Sequence, residues 1–191
     1  YSAELFSFYR EELLDKRKFD YLIAGNHFFP SGGEWIGTHF HIKNKEDLIA
    51  YAEHTIKAME SGIFTFIAHP DLFGNSYELW DEHASTCAKL ILEAAAAYHV
   101  PLELNAYGFR KPPKETKVGT RPPYPLAPFW ELAAAYSGVT VVANSDAHQP
   151  EDVGEIAAVE ELRQKYGLHP ADLSFLESTP QNSSLAARHL C

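Results

Sequence analysis

Residues 139–148 read Val139-Thr140-Val141-Val142-Ala143-Asn144-Ser145-Asp146-Ala147-His148, an apolar and β-branched run that leads directly into polar side chains. A short run of this kind predicts a strand that is buried on both faces. Gly138, just before this run, ends a predicted helix at 128–137, and Pro150, just after it, starts a predicted helix at 150–166. We therefore predict a strand of a parallel sheet at 139–143, with Asp146 and His148 just beyond its carboxyl end.

The same alternation of helix and strand extends back to the start of the chain. Helix followed by β-branched strand, repeated several times, is typical of an α/β fold with a parallel sheet, either a small open sheet or part of a barrel. Residues 107–127 are rich in Pro, Gly, Lys and Arg and are predicted to be a long functional loop. The remaining predicted strands are 19–24, 64–68 and 101–105, and the remaining predicted helices are 3–18, 45–60 and 77–99.

Composition limits the classes of function. The chain has 191 residues, of which 46% are apolar, and this predicts one domain at 1–176 with a polar tail at 177–191. A net charge of −10 argues against broad nucleic-acid binding. No apolar run approaches the roughly 18 residues that a membrane span needs. The two cysteines, Cys87 and Cys191, form no CxxC pair, so we expect a cytoplasmic protein without a disulfide framework.

Polar residues collect where the predicted strands end. His27 and His69 follow the first and second strands, Asn105 ends the third, and Asp146 and His148 follow the fourth. The carboxyl ends of parallel strands share one rim, so these residues are predicted to converge. Imidazole and carboxylate groups suit Zn²⁺, Mn²⁺ or iron ions, and a nearby guanidinium suits phosphate.

Each of these residues also has a simpler interpretation. A single histidine near a strand end is more often a turn or capping residue, and Asp146 could cap the following helix. Arg110 and Arg121 could be solvated loop charges, which is the favoured interpretation of Arg121. The other histidines are predicted to be surface residues on helices or tails: His54, His83, His99, His169 and His189.

Three motifs lie at the ends of predicted strands: Gly25-Asn26-His27-Phe28, Ala68-His69-Pro70-Asp71 and Asn144-Ser145-Asp146-Ala147-His148. Taken in order, they resemble motifs of the PHP (polymerase and histidinol phosphatase) superfamily. The segments Leu102-Glu103-Leu104-Asn105 to Arg110-Lys111-Pro112 and Val153-Gly154 resemble the histidinol-phosphatase branch. The resemblance runs from about residue 19 to residue 167.

The resemblance implies a distorted (β/α)7 TIM-like barrel with two or three divalent metal ions, Zn, Mn or Fe, at its rim. It implies hydrolysis of a small phosphate monoester, in this branch L-histidinol phosphate to L-histidinol and phosphate in histidine biosynthesis. His27 and His69 would then hold one metal, Asp146 a second and His148 the remaining one. Arg110 would contact the phosphate, and we assign Asn105 and Ser145 to substrate binding. Asp146, His148 and Arg110 form the predicted catalytic set.

The sequence departs from the family at its amino-terminal end. The family opens with a His-x-His motif, a further His and a bridging Glu, all upstream of the segment equivalent to residue 19. Here only 18 residues precede that segment, and they contain no His. About three barrel strands are therefore expected to be missing. Either the chain is a piece of a longer enzyme, or it is a short variant that completes its site from residues 31–41, through Glu34, His39 or His41, or from a second chain.

Two further functions stay open. One is a PHP phosphoesterase acting on another substrate, a nucleotide or a phosphotyrosine peptide. The other is a non-catalytic, metal-binding barrel fragment.

Overall fold

The computed structural model describes residues 1–117 and 119–176 and shows a mixed α/β protein built around a parallel sheet. Shorter helical turns lie at Ala3–Leu5, Leu72–Asn75, Pro150–Asp152 and Ser174–Leu176, and a π-helix lies at Phe8–Lys16. The strands are β1 (Ile23–Gly25), β2 (Phe28–Ser31), β3 (Glu34–Gly37), β4 (Phe66–Ala68), β5 (Leu102–Asn105), β6 (Lys114–Thr116), β7 (Gly119–Arg121), β8 (Thr140–Asn144) and β9 (His169–Pro170). The α-helices are α1 (Lys45–Glu60), α2 (Glu82–Tyr98), α3 (Tyr107–Arg110), α4 (Ala127–Ala133) and α5 (Ala157–Tyr166).

Five strands form the central sheet, in the order β1-β4-β5-β8-β9, and every neighbouring pair is parallel. Within this sheet the strands lie side by side in the order in which the chain forms them. This order is that of a singly wound sheet, as in (β/α) barrels, whereas doubly wound sheets reverse their order at a switch point. In residues 1–117 and 119–176 the sheet is open, with β1 and β9 at its edges.

The two long helices form where the sequence predicted them, because both have a capping residue and an apolar face. The Asn44 side chain accepts a hydrogen bond from the Asp47 amide at 2.8 Å and starts α1. Asp81 caps α2 in the same way, through the amides of His83 and Ala84. The two helices pack on each other and on the sheet, and the fully buried side chains at this contact include Leu48, Tyr51, Ile91 and Leu92.

Two β-hairpins lie outside the central sheet. Residues 31–41 include β3, which pairs with β2, and the turn at Gly32 and Gly33 has φ angles of 60° and 86°. Glycine adopts such angles readily, and this explains why the turn can be so tight. Residues 107–127 include α3 and the hairpin of β6 and β7. The prediction of a loop at 107–127 was therefore wrong.

The element boundaries also differ from the predicted ones. The helix predicted at 150–166 is broken at Gly154, whose φ is 84°, so that α5 starts only at residue 157. The helix predicted from residue 77 starts at residue 82, after its Asp81 cap. β9 was not predicted, and His54 is buried in α1 instead of lying on the surface. The predicted tail at 177–191, with His189 and Cys191, lies outside the described residues.

No helix in the described part of the chain is long and apolar enough to cross a membrane.

Candidate active site

The carboxyl ends of the four neighbouring strands bring several predicted site residues together. The ring centroids of His27 and His69 lie 4.8 Å apart. His39, from the segment after β3, stacks against His27 at 5.6 Å between centroids. Gly25, the last residue of β1, lies directly against these rings. A Cβ there would lie 3.1 Å from His27 Nε2 and 3.6 Å from His69 Cε1. The close approach of the first two histidines therefore depends on the absence of a side chain at residue 25.

The local environment keeps these imidazoles neutral. Burial, together with the neighbouring His27, lowers the pKa of His69 to about 4. Partial burial also lowers the pKa of His27 and of His39. His69 Nδ1 is buried without a hydrogen-bond partner. A neutral imidazole with a free lone pair is the form that binds a metal ion.

Glu103 links three strand ends beneath the histidines. Its carboxylate is buried and accepts hydrogen bonds from the His69 amide (2.8 Å), from Asn105 Nδ2 (2.9 Å) and from Asn144 Nδ2 (2.5 Å). Burial raises the pKa of Glu103, while these donors lower it. The carboxylate thereby fixes the backbone of His69, directly after β4, relative to β5 and β8. The sequence analysis missed Glu103, although an acidic residue inside an otherwise apolar strand is a visible signal.

Asp146 lies in a loop that is held from two sides. Asn105 Nδ2 donates to Asp146 Oδ2 at 2.9 Å, and Asn105 Oδ1 accepts from the Tyr107 amide. Asp146 has a φ of 46°, an uncommon conformation for a residue other than glycine. It does not cap a helix, because the Pro150–Asp152 turn begins after Gln149. Its carboxylate lies near enough to influence the pKa of both His27 and His69.

His148 also lies beside this loop. Its ring stacks on Tyr107, with centroids 3.9 Å apart, and its Nδ1 lies 2.9 Å from the Asp146 carbonyl oxygen. A carbonyl oxygen only accepts hydrogen bonds, so Nδ1 carries the proton and Nε2 keeps its lone pair. The tautomer of His148 therefore leaves Nε2 available as a metal ligand.

Arg110 braces the loop from the other side. Its Nη2 donates to the Ser145 carbonyl oxygen at 2.5 Å, and its Nε lies 3.3 Å from Asp152 Oδ2. The guanidinium is thus engaged with protein atoms, and the Ser145 side chain is buried. Asn105 is likewise buried with both polar atoms bonded. The substrate contacts predicted for Arg110, Ser145 and Asn105 stay predictions. In the structure these residues hold the Asp146 loop in place.

Lys111 is held between two tyrosine rings beside the Asp146 loop. Its ammonium lies 4.8 Å from the centroid of Tyr107 and 5.0 Å from that of Tyr124. Burial lowers the pKa of Lys111, whereas the nearby Asp146 raises it. Its charge also lowers the pKa of His27 and of His39.

An open cleft of about 660 Å³ adjoins these residues. This volume is within the range of small-molecule sites. His39 and Lys111 belong both to the cleft and to the group of side chains around His27. The other lining residues are Phe40, Asn75, Ser76, Pro112, Pro113, Lys114 and Pro123.

The donor atoms fit a divalent metal ion in type, because two neighbouring neutral imidazoles and a carboxylate suit Zn²⁺, Mn²⁺ or Fe²⁺. The buried and unpartnered Nδ1 of His69 supports this fit. Within residues 1–117 and 119–176, no group of three or more His, Cys, Asp or Glu side chains is already arranged closely enough to hold an ion. His41 and Glu34 are exposed residues of the β2–β3 region.

The sequence is 31% identical over 170 residues to a protein named "Probable histidinol-phosphatase" from Deinococcus radiodurans. The chain resembles histidinol-phosphatase-like proteins. This match covers 80% of the chain and 57% of the relative, so the chain spans little more than half of that relative's length. No family model matches the chain.

The fold is similar to a crystal structure from Listeria monocytogenes described as a "putative histidinol phosphatase". The TM-score is 0.60 at 20% sequence identity, and the match covers 83% of this chain and 65% of the other. At this identity the likeness concerns the fold, and it agrees with the mixed α/β arrangement around a parallel sheet.

Proposed function

We propose that this chain carries the rim of a PHP-type phosphoesterase that hydrolyses a small phosphate monoester, with L-histidinol phosphate as the favoured substrate. The observation that carries the proposal is the meeting of His27 and His69 at the carboxyl edge of a parallel sheet, with Asp146 close by. The named relative from Deinococcus radiodurans supports the choice of substrate.

In this proposal two or three divalent ions are bound by His27, His69, Asp146 and His148. When bound, such ions act as Lewis acids that stabilise negative charge on the phosphoryl group. The chain's own residues prepare this arrangement. Burial keeps His27 and His69 neutral, and Asn105 and Arg110 hold Asp146 and its loop in place.

Lys111 is the residue that we assign to the phosphate. A phosphate at the rim would meet the ammonium that Tyr107 and Tyr124 hold there. Two aromatic faces around a cation restrict its position, so less side-chain freedom is lost when the anion binds. The organic part of the substrate would then extend into the cleft beside His39.

Phosphate release tests the proposal. The purified chain is assayed with L-histidinol phosphate, a nucleoside monophosphate and phosphotyrosine, each with added Zn²⁺, Mn²⁺ or Fe²⁺. We expect metal-dependent release, fastest from L-histidinol phosphate, and a loss of at least about 100-fold in kcat in Asp146→Asn. His169→Gln is the control, because His169 is exposed and pairs with Thr140 at the amino-terminal end of β8, away from the rim.

The outcomes separate the candidate functions. Faster phosphate release from another monoester would support the proposed hydrolysis but contradict L-histidinol phosphate as the favoured substrate. Full activity in Asp146→Asn would contradict the assigned site. Metal bound without any phosphate release would favour the non-catalytic barrel fragment, and elemental analysis of the same samples would count the ions.

A further inference from the structure

His39 is a third imidazole beside the proposed metal ligands. It stacks on His27 at 5.6 Å with an angle of 21° between the rings, and it also lines the cleft. The simplest assignment would make it another metal ligand. The hydrogen bonds around its ring indicate a different role.

Asn75 fixes the tautomer of His39. Its Nδ2 donates to the His39 carbonyl oxygen at 3.0 Å and lies 3.2 Å from His39 Nδ1. Because the carbonyl oxygen only accepts, the nitrogen of the Asn75 amide must face it, and the reversed amide would place two oxygens together. The second hydrogen of the same NH₂ group then points to Nδ1. His39 Nδ1 is therefore an acceptor, and the ring proton is on Nε2.

The backbone around this pair is also held in place. Ser76 Oγ donates to the Thr38 carbonyl oxygen at 2.7 Å, and Lys114 Nζ donates to the Asn75 carbonyl oxygen. The first bond joins the end of the Leu72–Asn75 turn to the segment that follows β3, and the second joins the same turn to β6. The relative position of the Asn75 amide and the His39 ring thus follows from four separate contacts.

His148 shows the opposite tautomer. Its Nδ1 bonds to a carbonyl oxygen, so its Nε2 carries a lone pair, whereas His39 Nε2 carries a hydrogen. No hydrogen bond from His39 Nε2 is present within residues 1–117 and 119–176, and this atom is not among the buried polar atoms without a partner. Its N–H is therefore accessible to a ligand.

We propose that His39 is not a metal ligand but donates a hydrogen bond from Nε2 to an oxygen of an anionic substrate in the cleft, and that Asn75 is the positioning residue that sets this tautomer. The inference rests on the proposed function and adds a substrate-binding residue to it. Lys111 lies on the same cleft, so the anion would meet a charged donor as well as this neutral one. A protonated Nε2 has no lone pair for a metal ion, and this separates the two roles chemically.

Nitrogen NMR of the ¹⁵N-histidine-labelled chain tests the tautomer directly. We expect His39 to show a protonated Nε2 and an unprotonated Nδ1, and to keep this pattern when Zn²⁺ is added. Asn75→Asp should shift the proton toward Nδ1, because a carboxylate accepts where the amide donated. A His39 signal that shows zinc bound to either ring nitrogen would overturn the proposal.

Binding of inorganic phosphate to the zinc-loaded chain provides the second readout. His39→Leu should weaken phosphate binding on the order of tenfold, while His39→Gln, which retains a side-chain N–H donor, should recover part of that loss. Both variants should keep the zinc content of the unaltered chain, and His169→Gln should match it in both measurements. Loss of zinc in both His39 variants would contradict the donor role.

These readouts are separate from catalysis. If no monoester is hydrolysed while the tautomer and the phosphate effect are as expected, the proposed function fails and the donor role of His39 stands. If turnover occurs but His39→Leu binds phosphate as tightly as the unaltered chain, the donor role fails alone.

Discussion

At the scale of single residues, Gly108 shows how closely α3 packs against the segment around Tyr124. A Cβ at this position would overlap the carbonyl oxygen and the ring of Tyr124. We therefore expect Gly108→Ala to push apart α3 and the segment around Tyr124, and to destabilise the fold by roughly 2–3 kcal/mol. Lys111 would move with α3, so phosphate binding should weaken as well. Urea denaturation and phosphate titration measure the two effects.

Gly138→Ala is the matched control for that substitution. A Cβ there would lie 3.1 Å from the Ala96 Cβ, a tight contact that a small shift relieves. We expect its cost to stay below about 1 kcal/mol, with phosphate binding unchanged. Equal stability of the two variants would show that the contact between α3 and Tyr124 can rearrange at little cost in free energy.

The site residues that could be predicted from the sequence are those next to strand ends. His27 and His69 meet as expected, because a parallel sheet brings the carboxyl ends of its strands to one edge. The relation of Asn75 to His39 spans 36 residues and depends on two loop conformations. Neither periodicity nor spacing carries that information, so the tautomer could be read only from the folded chain.

At the scale of elements, Asp71 joins the exit of β4 to the start of α4. Its Oδ2 accepts hydrogen bonds from the Leu126 amide (2.6 Å) and from Trp130 Nε1 (2.9 Å), and the carboxylate is buried. Asp71→Ala would leave both donors buried without a partner, so we expect a loss of about 2–4 kcal/mol in the free energy of unfolding. Asp71→Asn retains an acceptor oxygen and should cost much less.

Trp130 fluorescence follows unfolding of both Asp71 variants, because the Trp130 ring is fully buried and bonded to Asp71. Equal losses in the Ala and Asn variants would indicate that the charge of Asp71, and not its role as an acceptor, stabilises α4.

The elements that the sequence did not predict are short or lie in segments of mixed composition. β9 contains two residues and is defined by its pairing with Thr140 and Val141. The β6–β7 hairpin lies in a stretch rich in proline and lysine, where alternation of apolar and polar residues is absent. The Gly32-Gly33 pair was a usable hairpin signal, since two consecutive glycines favour positive φ angles.

At the scale of the whole molecule, the order of the strands is informative. The five strands of the central sheet lie side by side in chain order, β1-β4-β5-β8-β9, and this order agrees with the winding that the family resemblance implies. The parallel α/β class followed from the alternation of helices and strands. Closure into a barrel came from the resemblance alone, and it stays a prediction, because local sequence patterns do not determine how the edges of a sheet are covered.

The buried His54 links the stability of the whole fold to pH. It lies on α1 against the ring of Trp35, at 5.7 Å between centroids, and burial lowers its pKa to about 4. In the unfolded chain a histidine takes up a proton near pH 6.5. The unfolded state therefore binds more protons than the folded state between about pH 6.5 and 4, and the stabilisation present above pH 6.5 is lost as the pH falls through this window.

We expect the free energy of unfolding to fall on the order of 1 kcal/mol at pH 5 relative to pH 7.5 because of His54, with a similar trend from His69, whose pKa burial also lowers to about 4. His54→Phe removes the ionisable group while keeping a ring against Trp35, so urea denaturation at the two pH values should show a smaller difference in this variant. His169→Gln controls for the loss of a histidine. A pH dependence in His54→Phe equal to that of the unaltered chain would mean that protonation of His54 does not lower the free energy of unfolding. Destabilisation by acid would then come from other groups, with His69 at the rim as the first candidate.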